Sequence, residues 1–335
     1  MRSALRISGF VALLIPALFL TIGKSVPATS GNSKRVRFLH IADIHGQLDT
    51  HWEYLPEDPS HLHRMGGFAR LRTALDERRK TAPGAVFTLD GGDTFQGSAI
   101  AATKGEAMIA PLNSLRIDVG TPGNWEFVYG PDVFRKLMSE VREKVTCFNL
   151  QDKDTGKRLF APATVIERNG VRIAFVGVTD SGTTTRQAPV EVRGLDSTRM
   201  QGLREFVKAL KKREQPDLTV LLDHTGLAPS VQLAHDIPEF DIVLSGHTHE
   251  RTYKPILVGK SIVVEPGSMG SFVGQLVSRV RSSHTKASDF LENGIGIGGP
   301  GERFRVPIVI REIVADGGLQ VACAAEGTAP DAALG

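Results

Sequence analysis

Cysteine is scarce in this chain: Cys147 and Cys323 are the two in 335 residues, and neither has the paired spacing of a zinc-binding motif. A thiolate metal site and a disulfide-built scaffold are excluded by that count. A single long-range disulfide stays compatible with export, and a buried free thiol at Cys147 is the simpler expectation. An excess of charge is lacking too. The formal +3 comes from Arg2, Arg6 and Lys24, which share an acid-free segment ending at Ala28; removing those 3 from 40 basic residues leaves 37 against 37 acidic. A near-neutral mature chain offers nothing to nucleic acid or anionic lipid, whatever its overall basic balance. No apolar run reaches the ~20 residues of a spanning helix. The longest, Phe10 to Ile22, is interrupted by Pro16. An internal repeat is also absent, and 41% hydrophobic with 23% charged residues excludes both a disordered chain and a multi-span membrane protein.

The N-terminal segment has a short basic start, that apolar stretch, and then small residues with Val26 and Ala28 placed for cleavage before Thr29. It reads as a secretory signal over residues 1–28, so the expectation is a secreted or periplasmic protein with no stable membrane anchor. No Cys follows the apolar run, which leaves lipoprotein anchoring unsupported.

What is present is a series of apolar runs, each ending in a polar cluster. Val36 to Ala42 precedes Asp43-Ile44-His45; Ala85 to Leu89 precedes Asp90-Gly91-Gly92-Asp93; Leu115 to Val119 precedes Gly123-Asn124; Leu218 to Leu222 precedes Asp223-His224; Asp241 to Leu244 precedes Gly246-His247-Thr248-His249. The runs read as buried strands. Between them lie amphipathic helical stretches such as Phe68 to Lys80, Pro131 to Lys144 and Thr198 to Lys212, an alternation that argues for an α/β fold. Ala163 to Arg168 and Val171 to Val178 flank Asn169-Gly170, a strong two-residue hairpin signal, and Thr252 to Val258 with Ser261 to Glu265 flank Gly259-Lys260 in the same way. Two hairpins on a mostly parallel framework predict two sheets packed face to face with helices outside. The stretch from His51 to Arg64 has no period and two prolines, so it reads as a loop, bordering the first cluster. After Val280 the rhythm fades: one strand is expected at Arg303 to Ile310, and the last 25 or so residues read as poorly ordered.

Open α/β sheets bind ligands beyond the carboxyl ends of their strands, so five strand-end clusters of Asp, His and Asn converge on one place. That convergence predicts a metal centre. Imidazole and carboxylate donors suit Mn, Zn or Fe, and the lack of thiolate argues against a purely structural zinc.

These clusters, Asp43-x-His45, Gly92-Asp93, Gly123-Asn124, His224 and Gly246-His247-x-His249, resemble the calcineurin-like metallophosphoesterase superfamily over roughly residues 36 to 280, in the branch containing 5'-nucleotidases. Leu89 to Gly97, Trp125 to Gly130, Met65-Gly66-Gly67-Phe68 and Glu265-Pro266-Gly267-Ser268 look most like the SoxB thiosulfohydrolase family. The resemblance implies a four-layer α/β/β/α sandwich of two mixed sheets, a catalytic domain at 36–280 and an irregular tail at 281–335. It also implies two divalent ions, one held by Asp43, His45 and His249 and the other by Asn124, His224 and His247, with Asp93 bridging and Asn124, Trp125 and Asp93 nearest the chemistry. Two divalent ions less two carboxylates and a bridging hydroxide leave the centre positive, which attracts a tetrahedral anion. Glycines 91, 92, 123 and 246 let backbone approach the ions.

Two departures shape the functional expectation. Most of the superfamily has Gly-Asn-His-Glu in the third cluster, and this chain has Gly123-Asn124-Trp125-Glu126. An indole donates one hydrogen bond and cannot protonate a leaving group near neutral pH. SoxB-like proteins also carry Trp-Glu-Phe there, and their sulfur leaving group departs without a proton. The other departure is that 55 residues follow Val280, with Phe290 and Phe304 their only aromatics, where relatives in this branch usually add a substrate-binding domain. The expectation is an exported dinuclear-metal hydrolase of phosphate or sulfate (thiosulfonate) esters, with a small anionic ester as substrate, or a sulfur-carrier protein if it is SoxB-like. The alternatives are a 5'-nucleotidase or general phosphomonoesterase, and a relative that binds metal or anion without turnover.

Overall fold

The computed structural model describes residues 33–281, except 57 and 83, together with 308–312 and 321–324. The signal read at 1–28 and most of the stretch after 281 lie outside the described residues. In chain order the first strands are β1 (Ser33–Ile41), β2 (Thr50–Leu55), β3 (Asp58–Gly66), β4 (Ala85–Asp90), β5 (Val119–Gly120), β6 (Lys144–Val145), β7 (Gln151–Asp152), β8 (Ala163–Arg168) and β9 (Val171–Val178). They are followed by β10 (Leu195–Asp196), β11 (Leu218–Asp223), β12 (Ile242–Ser245), β13 (Ile256–Val258), β14 (Ser261–Val264), β15 (Phe272–Arg281), β16 (Ile308–Glu312) and β17 (Val321–Ala324).

Continuous apolar runs such as Leu218-Thr219-Val220-Leu221-Leu222 are buried on both faces, as strands in the middle of a layered sandwich must be. One sheet has the order β17-β16-β15-β1-β4-β5-β6, parallel from β1 to β6 and antiparallel on the other side of β1. A second has the order β13-β14-β12-β11-β9-β8, with its central four strands parallel and a hairpin at each edge. Alternate residues of both sheets, among them Phe38, Phe87, Phe175, Val220 and Leu244, form one cluster between them. The Phe87 and Phe175 rings, from opposite sheets, lie 5.3 Å apart. The opposite faces carry the helices. Phe68, Leu71 and Leu75 of the helix Phe68–Lys80 cover Leu39, Ile41 and Val273, while Leu203, Val207 and Leu210 of the helix Leu203–Glu214 cover Val176, Leu221 and Val243. This is the α/β/β/α sandwich of two mixed sheets.

The hairpin at Asn169-Gly170 forms as read, with both turn residues at positive φ, 52° and 69°. Several other elements differ from the sequence reading. The stretch from His51 to Arg64 is not a loop: β2 and β3 pair into an antiparallel ribbon. Its strand character was hidden because only Leu55 and Met65 reach a core, against Phe272, while Trp52, Tyr54 and Leu62 stay exposed, so no regular alternation appears. Pro59 falls where the ribbon's register shifts and costs no ladder bond. The helix starting at Pro131 ends at Glu140 rather than Lys144, because the Asn113 side chain takes over its end: Asn113 Nδ2 donates to the Glu140 carbonyl (3.0 Å) and Oδ1 accepts from Arg142 N (2.7 Å). Leu115 belongs to a helix end and its side chain packs with the helices, so the third strand shrinks to Val119–Gly120. In the stretch read as an irregular tail, β16 and β17 extend the first sheet. Cys147 is a buried free thiol, and burial pushes its pKa up to about 11.

Candidate metal centre

β1, β4 and β5 of one sheet and β11 and β12 of the other run parallel within their sheets and end on the same side of the sandwich, so their exit loops face each other across the inter-sheet core. Asp43 and His45 follow β1, Asp93 follows β4, Asn124 follows β5, His224 follows β11, and His247 and His249 follow β12. Backbone bonds tie the loops together. Asp43 N donates to Gly92 O (2.8 Å), His45 N to Asp93 O (2.9 Å) and Gly246 N to Asp223 O (2.9 Å).

All seven expected ligands meet there. Donor atoms of Asp43, His45 and His249 lie within 4.8 Å of one another, as do those of Asp93, His224 and His247. Asp93 Oδ2 faces both groups, 3.2 Å from His224 Nε2 and 3.8 Å from His45 Nε2, and Asn124 Oδ1 is 3.3 Å from His224 Nε2. Five of the seven, Asp43, His45, Asp93, His247 and His249, hold positive φ between 50° and 85°. A non-glycine residue there costs of order 1–3 kcal/mol, a strain that gathers at functional sites. Two glycines make the close approach possible: a Cβ on Gly92 would strike the Gly123 backbone, and one on Gly123 would strike Asp93 Oδ1 and the His224 ring.

The donor set fits cations. His224 is fully buried, and its Nδ1 lies 2.6 Å from the Gly91 carbonyl, an acceptor, so Nδ1 carries the hydrogen. Nε2 then points a lone pair at Asp93 Oδ2 and Asn124 Oδ1, acceptors facing an acceptor, an arrangement that a positive ion resolves. His45 and His249 set two ring nitrogens 2.9 Å apart, a pair in which one ring donates unless an ion takes both lone pairs. The pKa directions carry the same message. Burial would lower His224, yet the charges of Asp93 and Asp43 hold it well above the usual histidine range, so a proton is drawn to where a cation belongs. Burial pushes His45, His247 and His249 down, into the neutral form that ligates. Asp43 is raised by burial, whereas Asp93 is held low because the His224 charge overrides its own burial.

Two buried glutamates, quoted above only within longer motifs, hold the ligand loops. Glu126 accepts from Gly123 N (2.5 Å), Thr94 N (2.6 Å), Asp93 N (3.0 Å) and Phe95 N (3.4 Å), bridging the second and third clusters. Glu265 accepts from Ser245 Oγ (2.6 Å), Glu250 N (2.9 Å) and Thr248 Oγ1 (3.1 Å), which clamps the His247-Thr248-His249 turn. Burial raises both to about 7. Only for Glu126 was there a sequence signal, its place just after the third cluster, since clustered loop amides need an acceptor once they leave water. Trp125 donates its backbone N–H to Asp93 Oδ1 (2.8 Å), and its half-exposed ring meets His45 edge-on at 6.4 Å. The histidines of the ribbon stand apart from this set. His51 bonds Glu53 and Ser271, while His61 and His63 bond Asp58.

Comparison with known proteins agrees with this geometry. A 5'-nucleotidase from Vibrio cholerae is 28% identical over 235 residues, covering 64% of this chain and 40% of its own length. An apyrase from Tabanus yao is 26% identical over 251 residues, covering 73% and 45%. The chain thus spans less than half the length of either curated relative. Among solved structures, the sulfate thiohydrolase SoxB of Thermus thermophilus superposes with a TM-score of 0.71 at 20% identity, covering 86% of this chain and 58% of that one. A 5'-nucleotidase precursor, also from Thermus thermophilus, gives 0.63 at 24% identity, covering 73% and 51%. At such identities the superpositions speak for the fold. The model of the calcineurin-like phosphoesterase family matches residues 36–251, a span that takes in all seven expected ligands, and the chain belongs to that family.

Proposed function

We propose that residues 36–280 form the catalytic domain of an exported two-metal hydrolase, acting on small anionic phosphate or sulfate (thiosulfonate) esters whose leaving group departs without a proton. Two divalent ions, Mn, Zn or Fe, would supply Lewis-acid polarisation and a lowered pKa for attacking water. The chain's own part is to hold the donors: Asp43, His45 and His249 on one side, Asn124, His224 and His247 on the other, and Asp93 between them. The observation that carries the substrate preference is Trp125. It stands beside His45, at the position where most of the superfamily has a proton-donating histidine, and the residue is 37% exposed. The indole N–H can hydrogen-bond an ester oxygen but cannot give up its proton near neutral pH. The names borne by the curated relatives favour a second reading, a 5'-nucleotidase. A sulfur-carrier protein is the substrate's bearer in the SoxB-like form of the proposal. Export rests on the N-terminal sequence; among the described residues no helix is long and apolar enough to cross a membrane.

The test compares leaving groups. Activated aryl phosphates and sulfur-bound sulfonates are expected to outrun AMP by up to ~10²-fold, the general-acid contribution that Trp125 cannot make. Trp125→His is expected to raise AMP turnover more than aryl phosphate turnover. Equal rates on both esters in wild type, unchanged in the variant, would place Trp125 outside the chemistry and favour the nucleotidase reading. Metal binding with no turnover of any ester would leave a metal- or anion-binding relative.

A further inference from the structure

One strand-end loop of the crevice contributes nothing to the ligand set. β9 runs parallel to β11, and His224 N donates to Val178 O (2.9 Å), so the segment after β9 leaves the sheet directly beside a candidate metal ligand. Asn149 secures its start, accepting from Thr179 N (3.0 Å) and donating to Thr179 O (2.9 Å). Its end is tied across the site, where Gln187 Nε2 donates to the Asn124 carbonyl (2.5 Å). Between these anchors Arg186 closes a single helical turn, Thr183–Arg186. Its guanidinium lies over Gly182, where a Cβ would meet the guanidinium carbon at 2.6 Å, and pairs with Asp180. The side chain is 63% exposed while Asp180 is 9% exposed, so the carboxylate takes one side of the guanidinium and the other meets solvent.

We propose that Arg186 is a substrate-recognition residue, binding oxygens of the tetrahedral anion that the two-metal centre does not hold, with Gln187 anchoring its loop beside Asn124. This rests on the two-metal hydrolase reading and gives it a substrate class: a compact phosphoryl or sulfonyl group with at least two free oxygens. A guanidinium presents paired N–H groups that match two such oxygens, which a lone ammonium cannot do. The pairing with Asp180 competes with the anion for those donors. Loss of the arginine and loss of the carboxylate must therefore shift affinity in opposite directions.

The experiment measures binding of inorganic phosphate, and separately of sulfate, to the metal-loaded protein by calorimetry, with metal content determined for each sample. Arg186→Met is expected to weaken phosphate binding about 10- to 100-fold, the worth of a charge-assisted hydrogen bond. KM for an aryl phosphate should rise by the same factor with kcat little changed, and Arg186→Lys should recover only part of the loss. Asp180→Asn should tighten phosphate binding. Three results overturn the assignment: an unchanged phosphate Kd in Arg186→Met with both ions bound, a weakened one in Asp180→Asn, or no phosphate or sulfate binding by wild type. If no ester is turned over while the anion affinities move as stated, the recognition role stands and the hydrolase reading alone fails.

Discussion

Asp93→Ala is expected to take the protein from two ions per chain towards none, while the fold survives. Among the described residues Asp93 alone has a carboxylate oxygen paired with a histidine of each donor group, at 3.2 Å from His224 and 3.8 Å from His45. In the two-metal reading its loss would remove a ligand from each ion and the negative charge that offsets their mutual repulsion. Losing one transition-state donor from an enzyme site costs ~10²–10³ in kcat, so losing the shared ligand should cost at least about 10³-fold. The core between the sheets does not include Asp93, so far-UV circular dichroism should match wild type. Elemental analysis after gel filtration decides the matter. Two ions retained in Asp93→Ala would mean that Asp93 is not shared, and one or none in metal-supplemented wild type would sink the dinuclear assignment.

Glu126 carries the second large effect, without being a ligand. Its two oxygens collect four backbone N–H groups from the second and third clusters, so its removal strands several buried donors at once. Each unsatisfied buried donor costs roughly 1–3 kcal/mol, and with water replacing some of the bonds Glu126→Ala should lose about 3–5 kcal/mol of stability. Glu126→Gln is the gentler probe: it keeps the side-chain volume, keeps one acceptor oxygen and turns an NH2 group against the amides. It is expected to fold, to melt at a lower temperature and to bind metal ~10- to 100-fold more weakly, as substitutions of outer-shell partners do. Asp93 holds φ 59° with its own N–H, and those of Thr94 and Phe95, bonded to Glu126. Metal affinity unchanged in Glu126→Gln would show that the loop keeps its shape without the clamp. Affinity and melting temperature are read separately, so a stability loss alone is not mistaken for a positioning effect.

Much of this was legible in the sequence, because burial and chemistry leave different marks. Runs such as Leu218 to Leu222 are apolar on almost every residue, and a strand covered on both faces has little other composition available. The sharp turn to Asp, His and Asn at the end of each run marks the rim where the chain leaves the core, and parallel strands put those rims on one side. Asn169-Gly170 announced its hairpin because few other residue pairs accept positive φ twice in succession. The family resemblance needed nothing beyond those same residues.

Tertiary structure alone decided the rest. The ribbon of β2 and β3 is invisible to periodicity because one of its faces remains in water and, of its apolar side chains, Leu55 and Met65 are the ones packed on the body, against Phe272. The helix from Pro131 stops where Asn113, distant in sequence, supplies a better partner for its last carbonyl than another turn would. Apart from the place of Glu126 just after the third cluster, Glu126 and Glu265 look like ordinary surface acids in the sequence. They become clamps only because the folded loops turn their amides inward, where each N–H must find an acceptor. Arg186 is likewise one arginine among many until the pairing of β9 with β11 sets its loop beside His224 and Asn124. Residue type is a local property and determined which side chains could ligate a metal. Which of them meet, and which neighbours hold them in place, depends on contacts between residues far apart in the chain.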